Sequence, residues 1–121
     1  MKIQRLAFVV ILSFVSLSSN AEPKIEAFKA PFYVGETVMA CGNVSQVSQG
    51  KKAKYINLNK KYPNQELTLL IWNNHVSKFT QRFGELDKLE NSRVCARGKI
   101  TEYKNSLQIK LSNPQFLRLM K

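Results

Sequence analysis

Residues 67–84 read Leu67-Thr68-Leu69-Leu70-Ile71-Trp72-Asn73-Asn74-His75-Val76-Ser77-Lys78-Phe79-Thr80-Gln81-Arg82-Phe83-Gly84. Two apolar periods meet inside this stretch. Leu67, Leu69 and Ile71 alternate, as one face of a strand does, and Glu66 opens that strand. From Val76 the spacing lengthens to three and four, so Val76, Phe79 and Phe83 share a helical stripe that Leu86 and Leu89 continue beyond Gly84. The stretch predicts a strand over residues 66–72 and one amphipathic helix over 73–91. Gly84 is its point of breakage, and Asn73 or Asn74 its cap.

Working outward, the two-residue period holds on both sides. Upstream, Val38, Ala40, Gly42 and Val44 alternate with Met39, Cys41, Asn43 and Ser45, which predicts a half-buried strand, and 46–50 reads as a turn region. A second strand over 53–59 sets Ile56 and Leu58 against Tyr55, Asn57 and Asn59, and residues 60–64 with Pro63 end it. Downstream, Val94, Ala96, Gly98 and Ile100 alternate with Arg93, Cys95, Arg97 and Lys99 in a strand running to Tyr103. A turn at 104–106 leads to a fifth strand carrying Leu107, Ile109 and Leu111. Asn113-Pro114 then signals a short terminal helix over 115–120. Residues 22–33, with two prolines and no sustained period, read as a lead-in to a domain over 34–121.

The order is β-β-β-α-β-β, an all-β class with one helix between strands 3 and 4. Five strands so arranged suit a small Greek-key barrel. Val34-Gly35-Glu36-Thr37-Val38-Met39-Ala40-Cys41-Gly42-Asn43-Val44, Tyr55-Ile56-Asn57-Leu58 with Tyr62-Pro63-Asn64-Gln65, Leu69-Leu70-Ile71-Trp72 and Val94-Cys95-Ala96-Arg97-Gly98-Lys99-Ile100-Thr101-Glu102-Tyr103 resemble the small OB-fold, nucleic-acid-binding-like domains of secreted bacterial proteins. The resemblance covers about residues 34–116. It implies a five-stranded OB barrel and leaves the ligand open, because that scaffold serves oligonucleotides, oligosaccharides and proteins alike.

The first residues set the compartment. Met1-Lys2-Ile3-Gln4-Arg5 is basic, Leu6 to Val15 is an apolar run broken only by Ser13, and Ser19-Asn20-Ala21 is a small-x-small site. This is the grammar of a secretory signal peptide over 1–21, cleaved after Ala21. The apolar run is too short to span a bilayer, which takes roughly 20 residues, and no second such run follows. The expected product is periplasmic or secreted, with no membrane span in its mature form. Removing Lys2 and Arg5 from the 19 basic residues leaves 17 against 8 acidic ones, a net charge of +9. That excess favours anionic partners without choosing among nucleic acid, lipid and glycan, and it also serves solubility.

Cys41 and Cys95 are the only cysteines. In an oxidising compartment they are expected to pair. Two cysteines and a single distant histidine, His75, lack zinc-ligand spacing, so no metal is expected. The OB barrel makes the pairing geometric: its first and fourth strands are neighbours, and both cysteines fall on the parity opposite the apolar set, pointing away from the core. A Cys41–Cys95 cross-strand disulfide follows.

OB barrels usually bind on the outer face of strands 2 and 3, between the loops joining strands 1–2 and 4–5. That face is expected to carry Tyr55, Asn57 and Asn59 with Thr68, Leu70 and Trp72, edged by Lys51, Lys52 and Lys54 and, from the other loop, by Lys104. Tyr55 and Trp72 are candidate stacking platforms for single-stranded DNA or RNA, bound without strong sequence preference, and the lysines a phosphate track. Against this, Trp72 could cap the barrel end, Tyr55 could pack on a neighbour, and the lysines could serve only as a solvated surface. Tyr62 reads as a turn anchor. A protein or glycan partner is the alternative occupant. Secreted staphylococcal-type nucleases also use the OB barrel, but their chemistry needs clustered carboxylates for a metal ion. Asp87 is the only aspartate, and Glu66, Glu85, Glu90 and Glu102 are scattered along the chain. No catalytic set or cofactor motif is recognisable, so a non-enzymatic binding module is expected.

Overall fold

A computed structural model describes residues 22–120. The expected signal peptide lies outside the described residues. Among the described residues eight strands form, β1 (Lys24–Glu26), β2 (Thr37–Gln49), β3 (Ala53–Leu58), β4 (Leu67–Trp72), β5 (Arg93–Lys99), β6 (Thr101–Tyr103), β7 (Ser106–Lys110) and β8 (Leu117–Met120), with one α-helix, α1 (Asn73–Phe83), between β4 and β5. The period change inside residues 67–84 thus falls where the sequence places it. Gly84 ends α1 at φ 77°, where a side chain would be strained, and its N–H donates to the Thr80 carbonyl. Leu86 and Leu89 continue the apolar stripe on a separate 3₁₀ turn, Leu86–Leu89. Neither Asn73 nor Asn74 caps the helix. Trp72 holds that position with no side-chain bond, because the Asn73 amide is engaged elsewhere.

The hydrogen-bonded path runs β6-β7-β4-β3-β2-β5-β8, with β1 added in parallel to β2. Only β1–β2 and β4–β7 are parallel pairs; the others are antiparallel. This corrects the expected five-stranded barrel: eight strands pair, and their ladder does not close among the described residues. The chain turns at Ile100, whose N–H donates to the Glu36 carbonyl and whose carbonyl accepts from Gly35. Before that corner the chain pairs with β2 as β5; after it, as β6, it pairs with β7. No ladder joins β5 to β7 among the described residues, yet the two approach closely: a Cβ on Gly98 would stand 2.4 Å from Ile109 Cγ2. The sheet curls so far that its inner face closes over one core, where Ile56, Leu58, Leu69, Ile71, Ile109 and Phe79 are buried. Each such side chain contributes about 1.5–3 kcal/mol by leaving water.

Three further expectations change. Residues 117–120 are not helical: the Asn113-Pro114 signal starts only a 3₁₀ turn (Pro114–Phe116), and Leu117–Met120 then pairs with β5 as an edge strand. Residues 22–33 are not merely a lead-in, since Ile25, Ala27 and Ala30 are buried in the same core. Residues 46–49 are strand rather than turn, because the β2–β3 register shifts between Val44 and Gln46. That bulge reverses parity, so Val47 takes the inward position opposite Ile56 while Gln46 and Ser48 turn outward beside Asn57 and Tyr55.

Cys41 and Cys95 are register partners on β2 and β5 with Cα atoms 4.0 Å apart, and they form a disulfide. They lie outside the apolar core cluster, as their parity requires, but are buried rather than exposed.

Candidate functional site

The outer face of β3, β4 and β7 forms a groove made of two adjoining hollows that share Tyr55, Tyr103 and Gln108. Strand alternation builds it. Ile56, Leu69 and Ile109 point inward, so Tyr55, Asn57, Thr68, Leu70, Gln108 and Lys110 line the other side. One hollow, ≈ 460 Å³, has Lys51, Lys52 and Lys110 at its edges, with Leu70, Trp72, Tyr55 and Tyr103 as apolar and aromatic surface. The other, ≈ 370 Å³, is bounded by Tyr55, Tyr62, Tyr103 and Lys104 and floored by Asn57, Thr68 and Gln108.

The floor is a hydrogen-bonded polar layer on the outside of the sheet. Asn57 Nδ2 donates to Gln46 Oε1 at 2.8 Å, Thr68 Oγ1 donates to Asn57 Oδ1 at 2.8 Å, and the Tyr62 N–H donates to the same Gln46 oxygen at 2.9 Å. The bulge makes this possible, because without its extra residue Gln46 would face the core.

Both ends of the groove are fixed by local chemistry. At one, Gln49 Nε2 donates to Asn73 Oδ1 at 2.9 Å, Asn73 Nδ2 to the Lys51 carbonyl at 3.0 Å, and the Asn73 N–H to the Lys52 carbonyl at 2.9 Å. This ties the β2–β3 turn to the start of α1 and presents Lys51 and Lys52. At the other, Lys104 (φ 48°) and Asn105 (φ 64°) form a two-residue turn between the paired Tyr103 and Ser106. Positive φ at both central residues is the type I′ pattern whose twist matches antiparallel strands. It sets the Lys104 ammonium 5.4 Å from the Tyr103 ring centroid.

The structure brings the expected Tyr55, Trp72, Lys51, Lys52, Asn57, Thr68 and Lys104 together along this groove. Lys54 is not among them. It shares the parity of Ile56, and its ammonium pairs with Asp87 at 3.1 Å. Asn57 and Thr68 are buried, so only a group that enters the hollow reaches them. Trp72 is 39 % exposed and borders the groove. Further groove residues escaped the sequence reading, among them Tyr62, Tyr103, Gln108 and Lys110. Tyr62 is 70 % exposed over the hollow. The signal for the others is parity: Gln108 and Lys110 alternate with Leu107, Ile109 and Leu111, and Tyr103 sits opposite Ser106 across the turn.

Among the described residues the ion-paired cations are Lys54, Arg93 and Arg97, and Lys51, Lys52, Lys104 and Lys110 have no carboxylate partner. Arg97 makes two bonds to Glu22, holding that carboxyl below its ordinary pKa by hydrogen bonding and charge, and lies over the Phe116 ring. No three His, Cys, Asp or Glu side chains gather as a metal-binding set among the described residues.

A putative aspartyl-tRNA synthetase from Leishmania major Friedlin superposes with a TM-score of 0.56 at 13 % identity, over 86 % of this chain and 22 % of that one. This chain therefore spans about a fifth of that enzyme. The S. pombe Stn1-ten1 complex matches with a TM-score of 0.52 at 12 % identity, covering 75 % of this chain and 68 % of that one. An OBody, AM1L10, bound to hen egg-white lysozyme matches with a TM-score of 0.52 at 14 % identity, over 75 % of this chain and 84 % of its own. The fold is OB-like. At these identities the likeness extends to the fold alone. No protein-family model matches the sequence, and no curated protein matches it.

Proposed function

We propose that this protein is an exported, non-enzymatic OB-like module that binds single-stranded DNA or RNA along the β3–β4–β7 groove. The observation that carries this reading is convergence: four lysines that have no carboxylate partner among the described residues, Lys51, Lys52, Lys104 and Lys110, line the same groove as Tyr55, Trp72 and Tyr103. Successive bases stack on such rings at roughly 1–3 kcal/mol each, largely without regard to sequence, while the ammonium groups meet phosphates. The likeness to a tRNA synthetase, an enzyme that handles RNA, is in keeping with this. Export is supported by the buried disulfide, a bond that persists in oxidising compartments.

Fluorescence anisotropy with labelled single-stranded oligonucleotides tests the reading. If Lys51, Lys52, Lys104 and Lys110 meet four phosphates, log affinity should fall with log salt at a slope of about −3. Tyr55→Ala should weaken binding about fivefold or more at unchanged slope. No binding at low salt, or binding indifferent to salt, would sink it. A divalent-metal digestion assay should find the oligonucleotide intact.

A second reading, a protein or glycan partner, has its support in the OBody held against lysozyme and in Phe28, Phe32 and Val34, exposed together on the 3₁₀ turn Ala27–Tyr33 and just after it. A stoichiometric partner that survives nuclease treatment and high salt during purification would favour it.

A further inference from the structure

Stacking along a basic groove needs no polar floor, yet the smaller hollow has one. Asn57 and Thr68 are buried and satisfy each other. Gln108 is different: it is only 8 % exposed, it lines the hollow, and among the described residues its side-chain amide has no hydrogen-bond partner. Gln65 lines the same hollow, and its Oε1 is buried without a partner. An amide oxygen buried without a partner costs free energy, and beside Gln65 Oε1 the Gln108 amide opens onto the hollow and meets only what enters it. When solvent fills the hollow, an occupant displaces that water favourably only by reproducing its hydrogen bonds. It must therefore bring both donors and acceptors on its edge. The walls, Tyr55, Tyr62 and Tyr103, ask for a planar group with an exposed π-face. Unpaired nucleobases combine the two, and the hollow's ≈ 370 Å³ lies within the roughly 300–1,000 Å³ of small-ligand sites.

We propose that the Tyr55–Tyr62–Tyr103 hollow is a base-reading subsite, in which one unpaired nucleobase stands edge-down with its hydrogen-bonding edge on the Gln65 and Gln108 amides. The proposal rests on the single-stranded nucleic-acid reading above and adds to it one position at which the groove discriminates. Lys104, at the rim, meets the phosphate of the same nucleotide. The larger hollow, floored by Leu70, reads nothing.

The test is anisotropy at one fixed low salt with fluorescein-labelled oligo-dA, oligo-dC and oligo-dT of about 12 nucleotides, within the span an OB fold covers. Wild-type protein should prefer one homopolymer over the weakest by about tenfold, the discrimination a good base-edge contact supplies. Gln108→Leu and Gln65→Leu, each checked for an unchanged melting transition, should bring that preference below about threefold by weakening the favoured oligomer, with the salt slope kept. Homopolymer affinities within about threefold of one another in the wild type overturn the subsite and leave the nucleic-acid reading standing. A preference undiminished in both folded variants also overturns it, because stacking rather than the amides would then discriminate. If no homopolymer binds, the nucleic-acid reading fails and the subsite fails with it.

Discussion

Gly50 has a task that its position in a turn does not announce. A Cβ there would stand 2.7 Å from Tyr55 Cε2, so the missing side chain is the space in which the tyrosine ring lies. Backbone freedom is not what the position uses, since its φ is not positive. Gly50→Ala should push the ring aside and weaken oligonucleotide binding about threefold to tenfold, a part of one stacking contact. The melting transition should barely move, because the ring is a partly exposed group free to yield. Equal affinities for Gly50→Ala and wild type would show that Tyr55 is not positioned in this way. Lys54 teaches the converse: adjacent in sequence to Tyr55, it does not line the groove, because neighbours on a strand face opposite sides and its ammonium goes to Asp87.

The element that most shapes the site is β2. Its bulge at Ser45 rotates Gln46 onto the outer face, where one amide oxygen serves both Asn57 and the Tyr62 backbone. Gln46→Ala leaves two donors unmet and should cost about 1–3 kcal/mol in urea unfolding, with Tyr62 freed over the hollow. A loss below 0.5 kcal/mol would mean that water replaces the amide without penalty. This bulge is also why the sequence lost the strand: alternation is legible only while the register holds, and Val44 and Val47, both inward, are an odd number of residues apart. The first four predicted elements from residue 53 onward were legible, because Ile56 and Leu58, Leu67 to Ile71, Val76 to Phe83 and Val94 to Gly98 keep their periods intact. The C-terminal strand was not, since Asn113-Pro114 is a helix-start signal that is honoured for only three residues. In the site, parity placed Tyr55, Asn57 and Thr68, whereas Tyr62 depends on how the turn after β3 folds back over the sheet.

At the scale of the molecule, two devices brace the sheet. Gly98 allows β5 to lie against Ile109 of β7, and Gly98→Ala should overpack that seam by about 1–3 kcal/mol, read as a fall in melting temperature. A variant as stable as the wild type would show that the seam can open at no cost. The disulfide joins β2 to β5 across 54 residues of sequence, and constraining a loop of that length is worth about 4 kcal/mol on the chain-entropy estimate. The double replacement Cys41→Ala with Cys95→Ala should lower the melting temperature by roughly 10 °C or more. Its place on β2 carries a further consequence. Cys41 lies on one side of the bulge, and Gln46 and Ser48 lie on the groove side, so the staple and the ligand act on separate halves of one strand. Energies of sites that share no contact add, and a bound oligonucleotide should therefore raise the stability of the cysteine-free protein by the same increment that it gives the oxidised one.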